Sequence, residues 1–427
     1  MRSHNVVLAL LAAGLASLSC WSSGSRDRSG SGTDAGMERV LQPPVGSVMT
    51  CAGDQAPLPA LADLPTIDGL PDPFQSIDGT RITSTDQWAC RRVEIGAQAA
   101  AYELGDKPDK PAVVTGAFSA GQLTVTAGDG NGKTVSFTAA VTPPTNGAQP
   151  PYPAMIGMGG INIDPAGLNA MGVATIIFPN DTVAQQNNSR GLGVFYDLYG
   201  KTHSAGAMMA WAWGISRLID AIEQTPDAQI DPARLGVTGC SRNGKGALIA
   251  GAFDERIALT IPQESGSGGS ASWRISDAQY AAGTMVQTLM EIVGENVWFR
   301  LSFRDFAFAA KQLPFDHHEI EGMVAPRALL IIENTDMVWL GNESTYNDSM
   351  AAHEIWQGLG IPDKMGVSQA GHSDHCGWSG AQQPEVTAYV QKYLVGGGTA
   401  STSVLKTDGG YAFDQTTWAP WDMPTLM

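Results

Sequence analysis

Six short apolar runs divide the sequence from about residue 150 onward, and each ends in polar residues or glycine. Such runs are typical of strands that are buried on both faces of a mostly parallel sheet. Apolar residues at helical spacing between the second and third runs predict a helix that begins near Ser204 and has one apolar face. Strands that alternate with crossover helices predict an α/β fold with helices on both faces of the sheet. The runs are PAMIGMGG, GVATIIF, RLGVTG, IALTIPQ, ALLIIEN and KMGVSQ, and the helical residues are Trp211, Ile215, Leu218, Ile219 and Ile222.

Two further patterns refine this picture. The segments Leu123–Ala127 and Thr134–Ala139 precede the alternating region and have the pattern of paired strands, joined by the turn GDGNG. The dipeptide Asp231-Pro232 predicts a break in the chain just before the strand RLGVTG, because proline lacks a backbone N–H.

An apolar run near the N-terminus has the pattern of an export signal, which we assign to residues 1–20. Arg2 and His4 precede this run, which extends from Val6 to Leu18 and is too short to span a membrane as a mature helix. Cys20 follows small residues, as at the lipidation site of bacterial lipoproteins, although a serine stands three positions before it where leucine is usual. The alternative is an ordinary cleavage site with a spare cysteine.

The composition after this signal predicts a flexible linker over residues 21–47, rich in Gly, Ser and then Pro. One catalytic domain over residues 48–427 is expected to follow. Either interpretation of Cys20 predicts an exported protein, whether secreted, periplasmic or anchored to the outer membrane as a lipoprotein.

Charge and cysteine content narrow the classes of function. The 427 residues include 25 basic and 42 acidic residues, which give a net charge of −17, and no basic cluster is long enough to indicate a nucleic-acid partner. Four cysteines remain besides Cys20, which in an exported chain predicts two disulfides with three pairings open. Because no CxxC pair is present, a zinc site built on thiolates is not expected. We expect neither a metal nor an organic cofactor, and a monomer.

The stretch TGCSRNGKGA places Ser241 between a predicted strand, RLGVTG, and a predicted helix, NGKGALIAGAF. A serine on a sharp strand-to-helix turn is the nucleophile position of α/β-hydrolases. The spacing G-C-S-R-N-G departs from the usual G-x-S-x-G, since the second glycine comes one position late and Asn243 takes its place. The alternative is a structural serine that caps the following helix.

A serine hydroxyl needs a base, and GHSDHCGW follows the last predicted strand, where the base of this fold belongs. Both His372 and His375 lie in this stretch. If His375 is the base, the neighbours of the nucleophile and the base, Cys240 and Cys376, must also be close, and a disulfide between them would join the two loops. Cys51–Cys90 would then follow by elimination.

Two carboxylates are candidates for the acid that orients the base. Glu264 ends the strand IALTIPQ, and Asp336 follows the later strand ALLIIEN, where many hydrolases place the acid. The residues alone leave this choice open.

Several of these motifs together resemble the glucuronoyl esterase family of carbohydrate esterases. They are GVTGCSRNGKGA, TIPQESGSGG, FYDLYGKTHSAGAMMAWAWG and the His-Cys pair, and the resemblance extends from about residue 50 to the C-terminus. It implies an α/β-hydrolase fold, a Ser–His–Glu triad and hydrolysis of the lignin–carbohydrate esters that join 4-O-methyl-glucuronic acid of glucuronoxylan to lignin alcohols.

Carried over residue by residue, the resemblance implies a role for each matching position. Ser241 is the nucleophile, His375 the base and Glu264 the acid, with Asp336 as an alternative acid or helper. Arg242 supports the oxyanion hole, and the Cys240–Cys376 disulfide is supported. The implied sugar-binding residues are Lys245, Gln287, Glu295 and Trp339.

Two other functions remain open at this point. One is a different xylan-active esterase on the same fold, acting on acetyl or feruloyl esters. The other is a non-catalytic carbohydrate-binding surface protein with a degenerate hydrolase fold.

Overall fold

A ten-stranded sheet forms the centre of the part of the chain that the structure describes, which is Cys51 and residues 58–427 of a computed structural model. The order of strands is β1-β2-β3-β5-β4-β6-β7-β8-β9-β10. β1, β2, β3 and β5 pair antiparallel in succession, and all pairings from β5 through β4 to β10 are parallel. The strands are β1 (Val113–Ser119), β2 (Gln122–Gly128), β3 (Thr134–Thr142), β4 (Tyr152–Met158), β5 (Ala174–Phe178), β6 (Ile230–Cys240), β7 (Ile257–Gln263), β8 (Ala328–Glu333), β9 (Met365–Gln369) and β10 (Leu405–Thr407).

Helices cover both faces of this sheet. They are α1 (Thr85–Ala99), α2 (Pro165–Ala170), α3 (Asn180–Val183), α4 (Val194–Tyr199), α5 (Ala207–Gln224), α6 (Arg242–Phe253), α7 (Trp273–Ala281), α8 (Leu289–Glu295), α9 (His317–Gly322), α10 (Asn342–Gly358), α11 (Gln383–Val390) and α12 (Gln415–Trp418). The six apolar runs are present as β4 to β9, which confirms the predicted mostly parallel sheet. The predicted export signal, Cys20 and the linker over 21–47 lie outside the described residues.

Alternation along the strands divides the core into two layers. On β8, Leu329 and Ile331 belong to a large hydrophobic cluster that includes residues of α5, α6 and α10, whereas Leu330 and Ile332 belong to a second cluster with residues of α11. Because successive side chains of a strand point to opposite faces, both faces of the sheet are buried. This explains why the strand sequences are continuously apolar.

The predicted helix is present as α5, but it does not have one apolar face. Every residue from Ala207 to Ile222 is buried, because the sheet lies on one side of the helix and other elements cover the rest. Trp211, for example, donates its indole N–H to the Ala184 carbonyl at 2.8 Å. The helical spacing therefore predicted α5 correctly, but it did not indicate that the whole helix is buried.

The predicted break at Asp231-Pro232 is wrong, since both residues lie within β6. They fall in an irregularity of the β4–β6 pairing, where Tyr152 pairs with Ile230 but Ala154 pairs with Leu235. An irregular stretch tolerates a missing backbone donor, because the residues in it do not pair in the ladder. The hairpin of β2 and β3 is confirmed, whereas β1 and β10 were not predicted.

Two disulfides fix the ends of loops to this framework. Cys51 is bonded to Cys90 in α1, and Cys240 at the end of β6 is bonded to Cys376 beyond β9, as expected. The second bond closes a loop of 136 residues and spans the two intervening strands, β7 and β8. Among the described residues, no helix is both long enough and apolar enough to cross a membrane.

Two helical glycines test how closely the layers pack. A Cβ atom on Gly246 of α6 would lie 2.8 Å from Trp211 Cε3 and closer still to Met158 Sδ, whereas one on Gly294 of α8 would meet nothing within 4 Å. We expect Gly246→Ala to lower the free energy of unfolding by about 1–3 kcal/mol through overpacking. Gly294→Ala is the matched control and should raise it by up to about 1 kcal/mol, since alanine favours a helix. Urea denaturation measures both, and equal effects of the two substitutions would contradict the packing described here.

Candidate active site

Ser241 lies on a sharp turn between β6 and α6. Its backbone has φ 59° and ψ −128°, and its N–H donates to the Gln263 carbonyl on the neighbouring strand at 2.9 Å. The side chain makes no capping hydrogen bond to α6, so the interpretation as a helix cap is not supported. A Cβ atom on Gly244 would lie 2.6 Å from the Gln263 carbonyl oxygen, which explains why position 244 is a glycine.

Glu264 lies at the end of the adjacent strand, β7, and is almost fully buried. Its Oε2 atom accepts hydrogen bonds from His375 Nδ1 at 2.8 Å and from the backbone N–H of Cys376 at 3.0 Å. Its Oε1 atom accepts a third from Gln263 Nε2 at 3.1 Å. Burial by itself would raise the pKa of Glu264, but these hydrogen bonds outweigh it and lower that pKa below its ordinary value.

His375 contacts the carboxylate of Glu264 through one of its two ring nitrogens. Its Nδ1 atom faces Glu264, and its Nε2 atom is buried and makes no hydrogen bond to any described residue. The disulfide holds the neighbours of Ser241 and His375 together, with the Cα atoms of Cys240 and Cys376 5.6 Å apart. Ser241 and Nε2 are not in hydrogen-bond contact here, as is common before a substrate tightens such a pair.

Three strained backbone positions meet at this site. Among the described residues, Ser241, Glu264 and Cys376 account for half of the six residues other than glycine that have a positive φ. Such conformations cost of order 1–3 kcal/mol each and persist only where the surroundings impose them. Here the disulfide and the hydrogen bonds to Glu264 join all three positions.

Lys245 lies one helical turn beyond the serine and is buried rather than exposed. Its ammonium group donates to the carbonyl oxygens of Ser265 and Ser267, the latter at 2.6 Å. Burial lowers the pKa of Lys245 to about 8, against the attraction of Glu295 and Glu333. An ammonium group has three donors, so one remains for a ligand.

The other predicted binding residues lie around Lys245 and His375. Gln287 donates its Nε2–H to Glu295 Oε2 at 3.1 Å, and its backbone N–H donates to the carbonyl of Trp339 at 2.9 Å. The ring of Trp339 is partly exposed and meets the ring of His375 edge-on, with 4.8 Å between centroids. Arg242 is exposed and lies over the ring of Trp298, 5.7 Å from its centroid.

Asp336 lies beside Gly371 in the histidine loop but does not take the position of Glu264 on His375. It is exposed, and its carboxylate makes no hydrogen bond to His372 or His375 in the part of the chain that the structure describes. The analysis of the sequence also missed Asn334, which lies at the end of β8 and bonds His372. An asparagine at the end of a predicted strand does not by itself indicate a functional residue.

The sulfur atoms at this site are not available as metal ligands. Cys240, His375 and Cys376 bring potential ligand atoms within 4.8 Å of one another. Zinc and similar ions bind thiolates, however, and both sulfur atoms are joined in the disulfide.

Comparison with known proteins identifies the family. A family model described as glucuronyl esterase, fungi, matches residues 125–360. A 4-O-methyl-glucuronoyl methylesterase of Hypocrea jecorina is 47% identical over 371 residues, which cover 86% of this chain and 78% of that protein. One of Cerrena unicolor is 48% identical over 372 residues, covering 84% and 76%. The chain belongs to the glucuronoyl esterase family.

Solved structures support the same assignment. The glucuronoyl esterase catalytic domain from Hypocrea jecorina is 46% identical, with a TM-score of 0.82, and the match covers 87% of this chain and all of that domain. A serine-to-alanine mutant of the esterase from Sporotrichum thermophile, in complex with methyl 4-O-methyl-beta-D-glucopyranuronate, is 43% identical with a TM-score of 0.80, covering 86% and 98%. The protein is therefore a carboxylic ester hydrolase of the α/β-hydrolase fold.

We expect loss of the two disulfides to have different effects on activity. Replacing both Cys240 and Cys376 by alanine removes the link between the serine turn and the histidine loop, so activity should fall at least about tenfold, since small misplacements of reacting groups are costly. Replacing both Cys51 and Cys90 is the control, because that bond lies outside the site. Chain entropy predicts a stability loss of about 5 kcal/mol for the first pair and about 4 for the second.

Ester hydrolysis and thermal denaturation of the two double variants separate these effects. Equal loss of activity in both, at a temperature where both are folded, would contradict a specific role for Cys240–Cys376.

Proposed function

We propose that this protein hydrolyses the esters that join 4-O-methyl-glucuronic acid side chains of glucuronoxylan to lignin alcohols. The observation that carries the proposal is the arrangement of Ser241, His375 and Glu264 beside the buried ammonium group of Lys245. The complex of the Sporotrichum thermophile relative, in which one serine is replaced, supports both a methyl glucuronate as ligand and a serine as nucleophile. Residues 48–427 form the catalytic domain in this proposal.

Ser241 starts the reaction by attacking the ester carbonyl. His375 Nε2 takes the hydroxyl proton, and Glu264 holds the ring through Nδ1 and stabilises the imidazolium that forms. Collapse of the tetrahedral intermediate expels the alcohol, which receives the proton from His375, and leaves a glucuronoyl ester on Ser241. Water activated by His375 then releases the uronic acid and restores the serine.

The negative charge that develops on the former carbonyl oxygen must be stabilised by hydrogen-bond donors in fixed positions. The backbone N–H groups at the start of α6 point out of the helix beside Ser241, and the guanidinium of Arg242 supplies positive charge there. The ring of Trp298 limits the positions open to that guanidinium.

The polar cluster of Lys245, Gln287 and Glu295 suits sugar hydroxyl groups. A cluster of an ammonium, an amide and a carboxylate offers both donors and acceptors, and the exposed ring of Trp339 offers an apolar face to a pyranose. Acetyl or feruloyl esters would leave these polar groups without partners, so another xylan esterase is the less favoured function. A non-catalytic carbohydrate-binding protein would not need the ordered contacts of Glu264.

The protein acts outside the cytoplasm in this proposal. The export pattern of residues 1–20 and the presence of two disulfides both support export. Lipidation of Cys20, with the linker over 21–47 as a tether, and a monomeric state are part of the same proposal.

Hydrolysis of benzyl glucuronate tests the assignment of the triad. Ser241→Ala should abolish turnover, and Glu264→Ala should lower kcat by about 10²–10⁴-fold, because the base loses its orientation. Asp336→Ala, the matched control, should stay within a few-fold of the wild type. A larger loss in Asp336→Ala than in Glu264→Ala would move the acid, and a wild type that cleaves only acetyl esters would refute the substrate.

Lys245 should determine the preference for uronate esters. Lys245→Met should raise KM for benzyl glucuronate at least about tenfold and change hydrolysis of 4-nitrophenyl acetate much less, since a hydrogen-bond donor to the sugar is lost. Lys311→Met, an exposed lysine paired with Asp68, is the control. In the wild type, KM for the uronate ester should also rise as pH increases through about 8, because the pKa of Lys245 lies there. Equal effects on both esters would contradict a role in sugar binding.

A further inference from the structure

A second histidine contacts the carboxylate of Glu264, and the mechanism above does not use it. His372 lies three residues before His375, and its Nε2 atom is 3.3 Å from Glu264 Oε1, whereas His375 contacts Oε2. The side chain of His372 is 11% exposed and that of Glu264 is 1% exposed. The two rings therefore face opposite oxygens of one buried carboxylate.

Asn334 determines which nitrogen of His372 carries the proton. Its Oδ1 atom accepts the backbone N–H groups of His372 and Asp336, at 3.0 and 3.1 Å. Since a carbonyl oxygen must face these donors, the amide nitrogen Nδ2 faces His372, where it lies 2.8 Å from the carbonyl oxygen and 3.1 Å from Nδ1. An amide NH₂ group only donates, so Nδ1 is the acceptor and the proton of the neutral ring lies on Nε2, toward Glu264.

We propose that His372 is a positioning residue, which donates its Nε2–H to Glu264 Oε1 and thereby keeps Oε2 directed at His375. This inference rests on the proposed function, in which Glu264 orients the base. The chain of contacts runs from the end of β8 through Asn334 and His372 to the end of β7.

The carboxylate of Glu264 needs such support to keep one orientation. The torsion that turns the carboxylate plane is broad, so burial alone does not fix which way the two oxygens point. Glu264 also begins from a strained backbone, with φ 44°. Gln263 donates to Oε1, and His375 and Cys376 donate to Oε2. Together with His372, whose Nε2 lies 3.3 Å from Oε1, they remove that freedom.

His372 is not placed to act as the base itself. Its Nε2 atom faces Glu264 and its Nδ1 atom faces Asn334, so neither nitrogen is left to receive a proton from Ser241. His375, in contrast, keeps Nε2 without a partner among the described residues. The two histidines of the H-x-x-H pair thus have different tasks.

Steady-state kinetics of His372→Ala and His372→Gln on benzyl glucuronate tests the proposal. His372→Ala should lower kcat about 10–100-fold and leave KM within about twofold, because the base is misaligned while the sugar contacts are intact. His372→Gln carries an amide donor in a similar position and should recover most of the loss. His353→Gln is the control, a buried histidine outside the site whose Nε2 contacts the Pro362 carbonyl at 3.0 Å.

The control separates positioning from stability. If His372→Ala retains full kcat, or if glutamine fails to restore it although His372→Gln melts no lower than His353→Gln, the proposal is overturned. A fall in kcat that follows the melting temperature in all three variants would also overturn it, since the role would be structural only.

Nitrogen-15 NMR of the histidine-labelled wild-type protein gives a readout that needs no substrate. The ring that disappears in His372→Gln should show its proton on Nε2, and a proton on Nδ1 would contradict the inference. If the wild type fails to hydrolyse benzyl glucuronate, the proposed function fails while this tautomer can still be measured. The kinetic comparison is then made with 4-nitrophenyl acetate.

Discussion

The disulfide between Cys240 and Cys376 is the constraint on which the arrangement of this site depends. The strands that carry its two ends, β6 and β9, are not neighbours in the sheet, so no ladder of backbone hydrogen bonds brings the serine turn to the histidine loop. The covalent bond does so, and the backbone N–H of Cys376 then reaches the carboxylate of Glu264. The β6–β7 ladder already places Ser241 beside Glu264, and the cysteine pair adds the loop of His375 to them.

Burial of Glu264 and Lys245, together with the hydrogen bonds that surround these two side chains, explains their pKa shifts. Burial would raise the pKa of Glu264, and the donors around it are what keep it ionised. Burial also lowers the pKa of Lys245 toward neutrality and leaves its ammonium group tied to the loop after β7. Glu333 at the end of β8 accepts the backbone N–H groups of Ser265 and Gly266, so the same loop is fixed from the other side.

Much of this could be predicted from the sequence, for physical reasons that also explain the failures. Continuous apolar runs indicated β4 to β9, because strands buried on both faces cannot alternate. The prediction missed β10 because this strand has three residues, none of them buried. The predicted start of β6 was too late because an irregular pairing accommodates Pro232 within the strand. Ser241 and the His-Cys pair could be identified from the residues next to them in the sequence. Asn334 meets His372, and His372 meets Glu264, only through the fold, so no spacing in the sequence reveals these contacts.

The central proposal is that Ser241 is the nucleophile, with His375 as its base and Glu264 as the acid that orients the base. The most direct measurement is peptide mapping by mass spectrometry after labelling with a fluorophosphonate, which reacts with activated serines. The account predicts a single adduct on Ser241 that forms in parallel with loss of ester hydrolysis and is slowed by glucuronic acid. An adduct on another residue that abolishes activity, or full activity in protein labelled at Ser241, would contradict it.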